Sequence, residues 1–438
     1  MSRFPIFVSL AVSVFFIVPF FFMILGSLSP SFKFTNLTGV FIVDAFTSPD
    51  LPELLVNTFE YGAGGALLAV SVATVYSYFV VMTDVPFKRV LYLLPVLPLV
   101  MPLVVKGFAW IFLFSPSIGL ANFAVNSLGV PGAPFNIFSI WGMIFAWGMG
   151  GVPLSFLLIS PAFKSLDASL DESSRVCGAG NVRTFFRITL PLIFPALLTS
   201  FLLSAIGGVE DFNYPFILGS RAHVNTLSTK VYDLVYLGHY SAGAAYGIMF
   251  LFITLILISL YIYSARRSFR FAVVTGKATR KNPISLGRWK WAGLAVCVVV
   301  LLFAFALPMS MLVLISLTPF YSVGGGANPF ATLTLNNYVR AVNLQFFRQS
   351  VVNSFIVSVS AAVAATAIAV VMAYAIIKSK SRFKNVINYL SSLPLAFPGV
   401  VYSVALIWTF LTLPIFNVYS EHIDCSLTHV SGLLSLAM

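Results

Sequence analysis

Nine apolar segments, each long enough to cross a lipid bilayer as a helix, constrain the fold of this chain more than any other feature. Of its 438 residues, 59% are hydrophobic and only 9% are charged, whereas soluble domains carry about 25% charged residues. Lipid must therefore solvate most of the surface. The sequence predicts an all-α polytopic membrane protein with spans at about residues 5–25, 61–82, 90–114, 136–159, 192–216, 243–265, 291–317, 350–377 and 387–412.

The distribution of Lys and Arg predicts the orientation of these spans. With a cytoplasmic N-terminus, nineteen basic residues fall in cytoplasmic segments and five in outer segments, while Lys106 lies inside the third span. Topology then explains the net charge of +12, so membrane lipid is an expected partner and nucleic acid is not. A cleaved secretory signal that begins near Arg3 is disfavoured, because the exit Ser27-Leu28-Ser29-Pro30 recurs at Ser316-Leu317-Thr318-Pro319.

The chain repeats itself at an offset of 296 residues. Residues 56–105 match 352–401 at 18 of 50 positions, including an Asn, a Phe-Lys pair and two prolines. Both copies enter the membrane in the same direction, which predicts two tandem parallel repeats of six spans. The second copy lacks its later spans, and its equivalent of Glu172 would fall at position 468. A truncated or frame-shifted reading of a longer gene is therefore the interpretation.

The predicted organisation follows from the repeat. A first unit of six spans contains a charged loop, a basic linker follows, and the second unit has three spans before an atypical tail. These segments are 1–265 with its loop at 160–191, then 266–290, 291–416 and 417–438.

The charged stretch Asp167–Pro191 lies in the predicted cytoplasmic loop and predicts two short helices. Gly178 and Gly180 suit a helix end that needs left-handed dihedral angles. Asn181 is a candidate cap for the next helix. Pro191 is suited to begin the following span, where its missing N–H costs nothing.

The spacing of this loop resembles the coupling loop of binding-protein-dependent ABC importer permeases. The matching residues are Glu172, Gly178, Ile188, Leu190 and Pro191, while Ser173 and Ser174 replace two alanines of the family pattern. The resemblance implies the type I ABC importer architecture and a non-enzymatic subunit in the cytoplasmic (inner) membrane of a bacterium. The loop would dock on two copies of a separate ATPase, which binds ATP. A periplasmic or lipid-anchored binding protein would deliver the substrate, and this chain would bind no cofactor itself.

The tandem arrangement is similar to the ferric-iron branch of that family, as is the stretch Glu210–Pro215. Thiamine, phosphonate and polyamine are the alternative substrates. Candidate residues of the substrate path are Lys106, Glu210, Asp211 and Asn213. The structural alternatives are that Lys106 snorkels or pairs with an acid, and that the two acids are a solvated helix end. No residue set identifies a metal site.

Two other classes of protein fit the sequence less well. A secondary transporter driven by an ion gradient would carry acids near the middle of its spans, and few are present. A membrane-embedded enzyme would need clustered His, Asp or Ser-Lys groups, which the spans do not show. The chain also has no GxxxxGK[ST] motif, so it does not bind ATP by that route.

Overall fold

The computed structural model shows a protein built from helices. Within the part that it describes, the β-type pairing found is one isolated bridge between Thr83 and Ile284. The described residues are 17–30, 36–167, 173–174, 176–271, 283–321, 330, 333–378 and 397–412.

The helices are numbered in chain order. They are α1 (Ile17–Ser27), α2 (Val40–Thr47), α3 (Leu51–Met82), α4 (Lys88–Val100), α5 (Leu103–Phe114), α6 (Leu120–Ser127), α7 (Ile140–Ser165), α8 (Asn181–Glu210), α9 (Leu227–Tyr236), α10 (Tyr240–Phe271), α11 (Gly287–Leu317), α12 (Asn336–Asn343), α13 (Gln345–Lys378) and α14 (Gly399–Thr412).

Six of these helices are long and apolar enough to cross a membrane, namely α3, α7, α8, α10, α11 and α13. The pair α4 and α5 is a seventh candidate, bent by 101° at its break. These seven correspond to seven of the nine predicted spans and confirm a multi-pass helical membrane protein. The first and ninth predicted spans extend outside the described residues, and the short apolar helices α1 and α14 lie in their described parts.

The third predicted span, at about 90–114, is broken into the two helices α4 and α5. Pro98 lies inside the 3-10 segment that ends α4, and Pro102 directly precedes α5. A residue before proline is driven out of the helical region, and Met101 is indeed extended, with ψ 125°. The prolines thus end one helix and start the next.

The broken pair still runs the length of α7. At one end, the hydroxyl of Tyr92 lies 3.5 Å from Ser160 Oγ, near the C-terminus of α7. At the other end, the carbonyl oxygen of Phe114 accepts a hydrogen bond from the N–H of Ile137, just before α7. Together α4 and α5 therefore extend along α7 from one of its ends to the other.

Two Leu-Pro pairs within helices are each preceded by a five-residue π-helical turn. Before Pro191, the N–H of Leu190 donates to the carbonyl oxygen of Phe185. Before Pro308, the N–H of Leu307 donates to the carbonyl oxygen of Leu302. A proline in a helix cannot donate to the preceding turn and crowds its carbonyl. The wider turn accommodates it, so α8 and α11 continue through their prolines.

The chain divides by contacts into two compact units. One consists of Glu53–Thr226 and Ile256–Thr334, and the other of Met1–Pro52, Leu227–Leu255 and Leu335–Met438. The boundaries predicted from the sequence follow the repeat instead of contacts, so they stay predictions.

In the unit that contains Glu53–Thr226, buried side chains cluster along both halves of α7. In its C-terminal half, Phe156 packs edge-on against Tyr76 of α3, with ring centroids 5.3 Å apart. In its N-terminal half, Met143 and Met149 lie in a second cluster with Tyr61 of α3 and Trp110 of α5. The helix α7 is therefore the central element of this unit.

The other unit is joined by polar contacts between segments distant in sequence. The hydroxyl of Ser241 donates to the carbonyl of Ser29 at 2.6 Å. The ammonium of Lys230 donates to Asp50 Oδ2 at 2.5 Å, just before α3 begins. Because this lysine hydrogen bond, and then one from Ser48, favour the carboxylate, the pKa of Asp50 is held below its ordinary value of 3.8.

The offset found in the sequence recurs in the helix bounds. Helix α2 covers Val40–Thr47 and α12 covers Asn336–Asn343, which are the same positions 296 residues later. The hydrogen bonds that follow two equivalent prolines also agree. The N–H of Lys106 donates to the carbonyl oxygen of Pro102 at 3.1 Å, and the N–H of Tyr402 donates to the carbonyl oxygen of Pro398 at 3.0 Å. The local structures of the two copies therefore agree where both are described.

Candidate functional site

The charged stretch between α7 and α8 is only partly described. Glu172, the residue that anchors the motif, lies outside the described residues. Ser173 and Ser174 are helical, Gly178 ends that helical turn, and the remaining motif residues, Ile188, Leu190 and Pro191, lie within α8. We call residues 173–184, except the undescribed position 175, the coupling segment.

Backbone hydrogen bonds close the end of the first helical turn of the coupling segment. The N–H of Ala179 bonds to the carbonyl of Ser174 at 3.0 Å, and Gly178 has φ +79°. A left-handed residue with a bond of this span is the usual end of a helix, and glycine adopts it without a steric cost. The left-handed conformation predicted for Gly178 is confirmed, whereas the same prediction for Gly180 is wrong, because Gly180 is extended with φ −72°.

A buried hydroxyl pair ties the two sides of the coupling segment together. Ser174 is only 8% exposed, and its Oγ lies 2.8 Å from Thr184 Oγ1. Thr184 also donates to the carbonyl of Gly180 at 3.1 Å. The second small residue of the motif therefore has a structural role that a methyl group in its place could not fill by hydrogen bonding.

Two expectations for the following helix were wrong. Gly180, not Asn181, is the cap residue, and no side chain caps that end. The predicted second short helix is not separate either, because it continues through the π-helical turn Phe185–Thr189 into α8. Pro191 consequently lies inside the span instead of starting it.

The surface of the coupling segment presents two apolar side chains. Val176 is 88% exposed and Val182 is 72% exposed, and both lie between Ser174 and Thr184 in the sequence. Exposed apolar side chains on a backbone held by hydrogen bonds are suited to burial against another protein.

The surroundings of the coupling segment are basic and are formed by neighbouring span ends. Phe185 packs edge-on against Tyr78 of α3, with centroids 5.0 Å apart. The ammonium of Lys164 lies 3.7 Å from the centroid of the Tyr92 ring. Asp84 Oδ1 accepts from the N–H of Leu286 at 2.9 Å, so the end of the basic linker lies at this end too. Basic residues at these span ends are Lys88, Arg89, Lys164, Arg183, Arg187, Arg288 and Lys290.

At the opposite end of α8, Asp211 is the acceptor of a buried network. Its Oδ2 accepts from the Tyr61 hydroxyl at 2.7 Å and from the N–H of Tyr214 at 3.1 Å. Its Oδ1 accepts from both the backbone and side-chain nitrogens of Asn213 at 3.0 Å. The carboxylate caps the turn that begins at Asn213 and joins it to α3. Sequence reasoning missed Tyr61, because it lies 150 residues away and carries no motif.

Glu210 and Lys106, the other candidates for the substrate path, are placed differently. Glu210 Oε1 is buried and has no hydrogen-bond partner among the described residues. Lys106 is 5% exposed on α5, next to Gly107, which approaches the ring of Tyr214. No hydrogen bond or ion pair joins Lys106 to Glu210 in the described part of the chain.

No group of three or more His, Cys, Asp or Glu residues arranged to hold a metal ion is found among the described residues. Glu172 and the tail after Thr412 lie outside that search.

Comparison with known proteins gives a consistent set of relatives. Residues 65–270 match the family model described as binding-protein-dependent transport system inner membrane component. The putative ferric transport system permease protein FbpB 1 of Haemophilus influenzae is 27% identical over 332 residues, which are 73% of this chain and 50% of that protein. The sn-glycerol-3-phosphate transport system permease protein UgpA of Salmonella choleraesuis is 31% identical over 204 residues, covering 44% of this chain and 68% of that protein.

The chain therefore spans about half the length of the ferric permease relatives that it matches. Among solved structures, a bacterial ABC transporter involved in the import of the acidic polysaccharide alginate matches 60% of this chain and 93% of its own, with 19% identity and a TM-score of 0.45.

Proposed function

Because the chain belongs to the family of binding-protein-dependent transport system inner membrane components, we propose that it is the permease subunit of an ATP-driven importer for ferric iron. It forms the membrane path and is not itself an enzyme. A separate ATPase, in two copies, binds ATP and docks on the coupling segment from the cytoplasm. A periplasmic or lipid-anchored binding protein delivers the substrate to the opposite face.

The observation that carries this proposal is the construction of the coupling segment. The buried pair Ser174 and Thr184 closes a segment that contains exposed Val176 and Val182, at the basic end of the spans. The helical residues Ser173 and Ser174, which follow Glu172 in the sequence, dock in a groove of the ATPase. Gly178 ends that turn and redirects the chain into α8.

The path of the conformational signal follows α8. This helix runs from the coupling segment to Glu210 without a separate loop, because its π-helical turn accommodates Pro191. At its far end Asp211 binds the Tyr61 hydroxyl of α3. A displacement of the coupling segment by the ATPase is thereby transmitted to α3, and the path changes between outward- and inward-facing states.

The choice of ferric iron is supported by the ferric permease relatives, whose aligned region covers most of this chain. Carboxylate oxygens are ligands that hard cations prefer. Since Asp211 is engaged by neighbouring donors, Glu210, with its unpartnered oxygen, is the better candidate to meet a cation on the path. Thiamine, phosphonate and polyamine are the alternative substrates, and the glycerol-phosphate relative adds another anionic class.

The coupling function is tested by Val176→Asp and Val182→Asp. Both side chains are exposed, so folding should be unaffected, while co-purification with the partner ATPase should fall at least tenfold. Leu128→Asp is the matched control, since Leu128 is 82% exposed and follows α6 at the opposite end. Unchanged ATPase binding in both Val variants would contradict the assignment of the segment.

The energy source and the substrate need separate experiments. Uptake into vesicles should stop when internal ATP is removed and persist when an ionophore abolishes the ion gradients; the reverse result would identify a secondary transporter. The partner binding protein should show a tryptophan-fluorescence change on titration with Fe(III) and none with thiamine. A response to thiamine alone would leave the importer assignment intact and remove iron.

A further inference from the structure

Lys106 lies on the buried side of α5. Leu103, three residues before it, and Trp110, four residues after it, pack in the buried cluster around the N-terminal half of α7. Residues three and four apart share one face of a helix. Lys106 is itself 5% exposed, whereas Val104 and Phe108, on the other side of α5, are 42% and 47% exposed. The lysine side chain is therefore enclosed by protein, which does not fit a side chain that snorkels along the exposed side of the helix.

The charge of Lys106 has no partner in the described part of the chain. The ion pair found there joins Lys230 to Asp50, far from α5 in sequence, and none involves Lys106. No hydrogen bond from its ammonium to another described residue is found either. A charged side chain inside a membrane span is costly, and such residues are paired or face a path for a ligand. Because Lys106 is enclosed but unpaired, its position favours a ligand of opposite charge.

The N-terminus of α5 lies next to this ammonium. The first hydrogen bond of the helix runs from the N–H of Lys106 to the carbonyl oxygen of Pro102 at 3.1 Å, and no side chain caps this end. The N–H groups of residues 103–105 therefore have no acceptor within the helix. Long side chains on a helix lean toward its N-terminus, and Lys106 lies only about 4.5 Å along the axis from Leu103. Its ammonium and the free N–H groups consequently serve the same space.

We propose that Lys106 and the first turn of α5 bind an oxyanion group of the transported species, such as a phosphate, phosphonate or carboxylate. The ammonium supplies a full positive charge, and the free N–H groups, at the positive end of the helix dipole, supply directed donors. The inference rests on the proposed function, in which this chain forms the transport path. It adds that the species on the path carries negative charge. A bare Fe(III) ion would be repelled by the ammonium, so ferric iron would cross with anionic oxygen ligands.

The second copy of the repeat has the same backbone without the charge. The N–H of Tyr402 donates to the carbonyl oxygen of Pro398 at 3.0 Å, as Lys106 does to Pro102. The ring of Tyr402 lies 5.8 Å from that of Phe20, between ring centroids. An aromatic side chain thus occupies the position that holds the ammonium in the first copy. We therefore expect one anion to bind per chain.

The test is equilibrium dialysis of the purified full chain, in detergent and at physiological salt, against radiolabelled inorganic phosphate or citrate. At least one of these anions should bind saturably, with one bound per chain. Lys106→Met should weaken that binding at least tenfold, and Lys106→Arg should keep it within threefold because it retains the charge. Lys230→Met is the matched control, since it also removes one positive charge, and it should leave the affinity unchanged. The proposal fails if wild type binds neither anion, or if Lys106→Met binds as tightly as wild type.

Thermal unfolding distinguishes an anion site from a structural role of Lys106. Replacing an unpaired buried charge by an apolar side chain of similar length should not lower the unfolding temperature of the chain without anion. The anion that binds should raise the unfolding temperature of wild type, because it binds only the folded state, and should not raise that of Lys106→Met. A variant that is destabilised without anion, or stabilised by it as much as wild type, would overturn the proposal.

Uptake into vesicles separates a failure of this site from a failure of the proposed function. ATP-driven uptake of Fe(III) with the same half-saturation concentration in wild type and Lys106→Met would remove the anion site and keep the importer assignment. Phosphate or citrate binding that depends on Lys106, in a chain that supports no ATP-driven uptake, would keep the site and contradict the importer.

Discussion

Helices α3 and α13 carry the same sequence pattern in opposite surroundings. In α3, 56% of the apolar window is buried, and Gly62, Ala69 and Tyr76 pack against α7 and α8. In α13, the corresponding figure is 0%. A helix in a membrane can form from its own backbone hydrogen bonds, so neither helix needs the packing to exist. The difference teaches that the pattern specifies how a helix will pack, while its neighbours decide whether it does.

The two copies also differ in polar residues, which are present and hydrogen-bonded in the first copy and replaced by apolar residues in the second. Tyr61 donates to the buried Asp211, whereas the equivalent position of α13 is Val357. Asp50 precedes α3 and binds Lys230, whereas its equivalent is Phe346, which is 80% exposed. Polar side chains in the first copy have partners, and apolar ones replace them in the second. Gly62→Leu, Tyr61→Phe and Asp50→Asn test this contrast, and Gly178→Ala tests the backbone of the coupling segment.

The largest effect is expected from Gly62→Leu. Its side chain would meet the backbone of Val209 and Ala205, at 3.0 and 3.1 Å from the first added carbon, and backbone cannot move aside. We expect a loss of about 3 kcal/mol in folding stability, the upper part of the range for overpacking. Thermal unfolding in detergent measures it.

Ser358→Leu in α13 is the matched control for that substitution and should leave the unfolding temperature of the purified chain unchanged. If both variants are destabilised equally, the contrast between the two helices is wrong.

Tyr61→Phe should have the next largest effect. It removes one donor from Asp211 Oδ2, which keeps the N–H of Tyr214. We expect the free energy of unfolding to fall by about 1–2 kcal/mol, because a buried carboxylate oxygen loses one of its hydrogen bonds. Denaturant titration of the purified protein is the measurement. Val357→Phe should change nothing, and a stability loss there would show that α13 is packed within the chain.

Gly178→Ala should cost about 1 kcal/mol, since an L-residue pays that much in the left-handed region. Gly180→Ala is a close control: neither glycine has a neighbour within 4 Å of an added carbon, and only Gly178 has positive φ. We expect weaker ATPase binding for the first variant only. Equal effects of both would mean that the backbone conformation at Gly178 is not what orders the coupling segment.

Asp50→Asn should have the smallest effect, about 0.2–1 kcal/mol, because the pair with Lys230 is partly exposed. The folded pKa of Asp50 is depressed, so its contribution is full above its ordinary pKa of 3.8 and is lost as the pH falls through the lower folded value. The stability difference between wild type and Asp50→Asn should therefore shrink below about pH 3.8. A difference that stays constant down to pH 2 would exclude the ion pair as its source.

Local signals predicted much of the fold. Apolar length identified the spans, and the glycine spacing predicted the left-handed end at Gly178. The break at Met101 was missed although Pro98 and Pro102 announce it, because membrane helices often tolerate proline. The continuation of the coupling segment into α8 was missed because a π-helical turn before Pro191 leaves no sequence signature.

In the candidate site, too, local sequence spacing predicted some features and missed the contacts between side chains. The motif residues of the coupling segment were predicted from spacing, and Glu172, its central residue, stays a prediction. The pairing of Ser174 with Thr184 and of Asp211 with Tyr61 was not predicted, because each joins side chains across a fold that neither residue type specifies.

The sequence by itself determined that this chain crosses a membrane many times, that residues 56–105 resemble residues 352–401 at an offset of 296, and that a charged segment connects two spans. Apolar length, offset and spacing are properties of the chain alone. Only the tertiary structure decided which small-residue face is covered, which carboxylate is satisfied and where a span breaks. These depend on contacts between residues far apart, such as Gly62 with Gly208, and packing in a bilayer exists only once two helices meet.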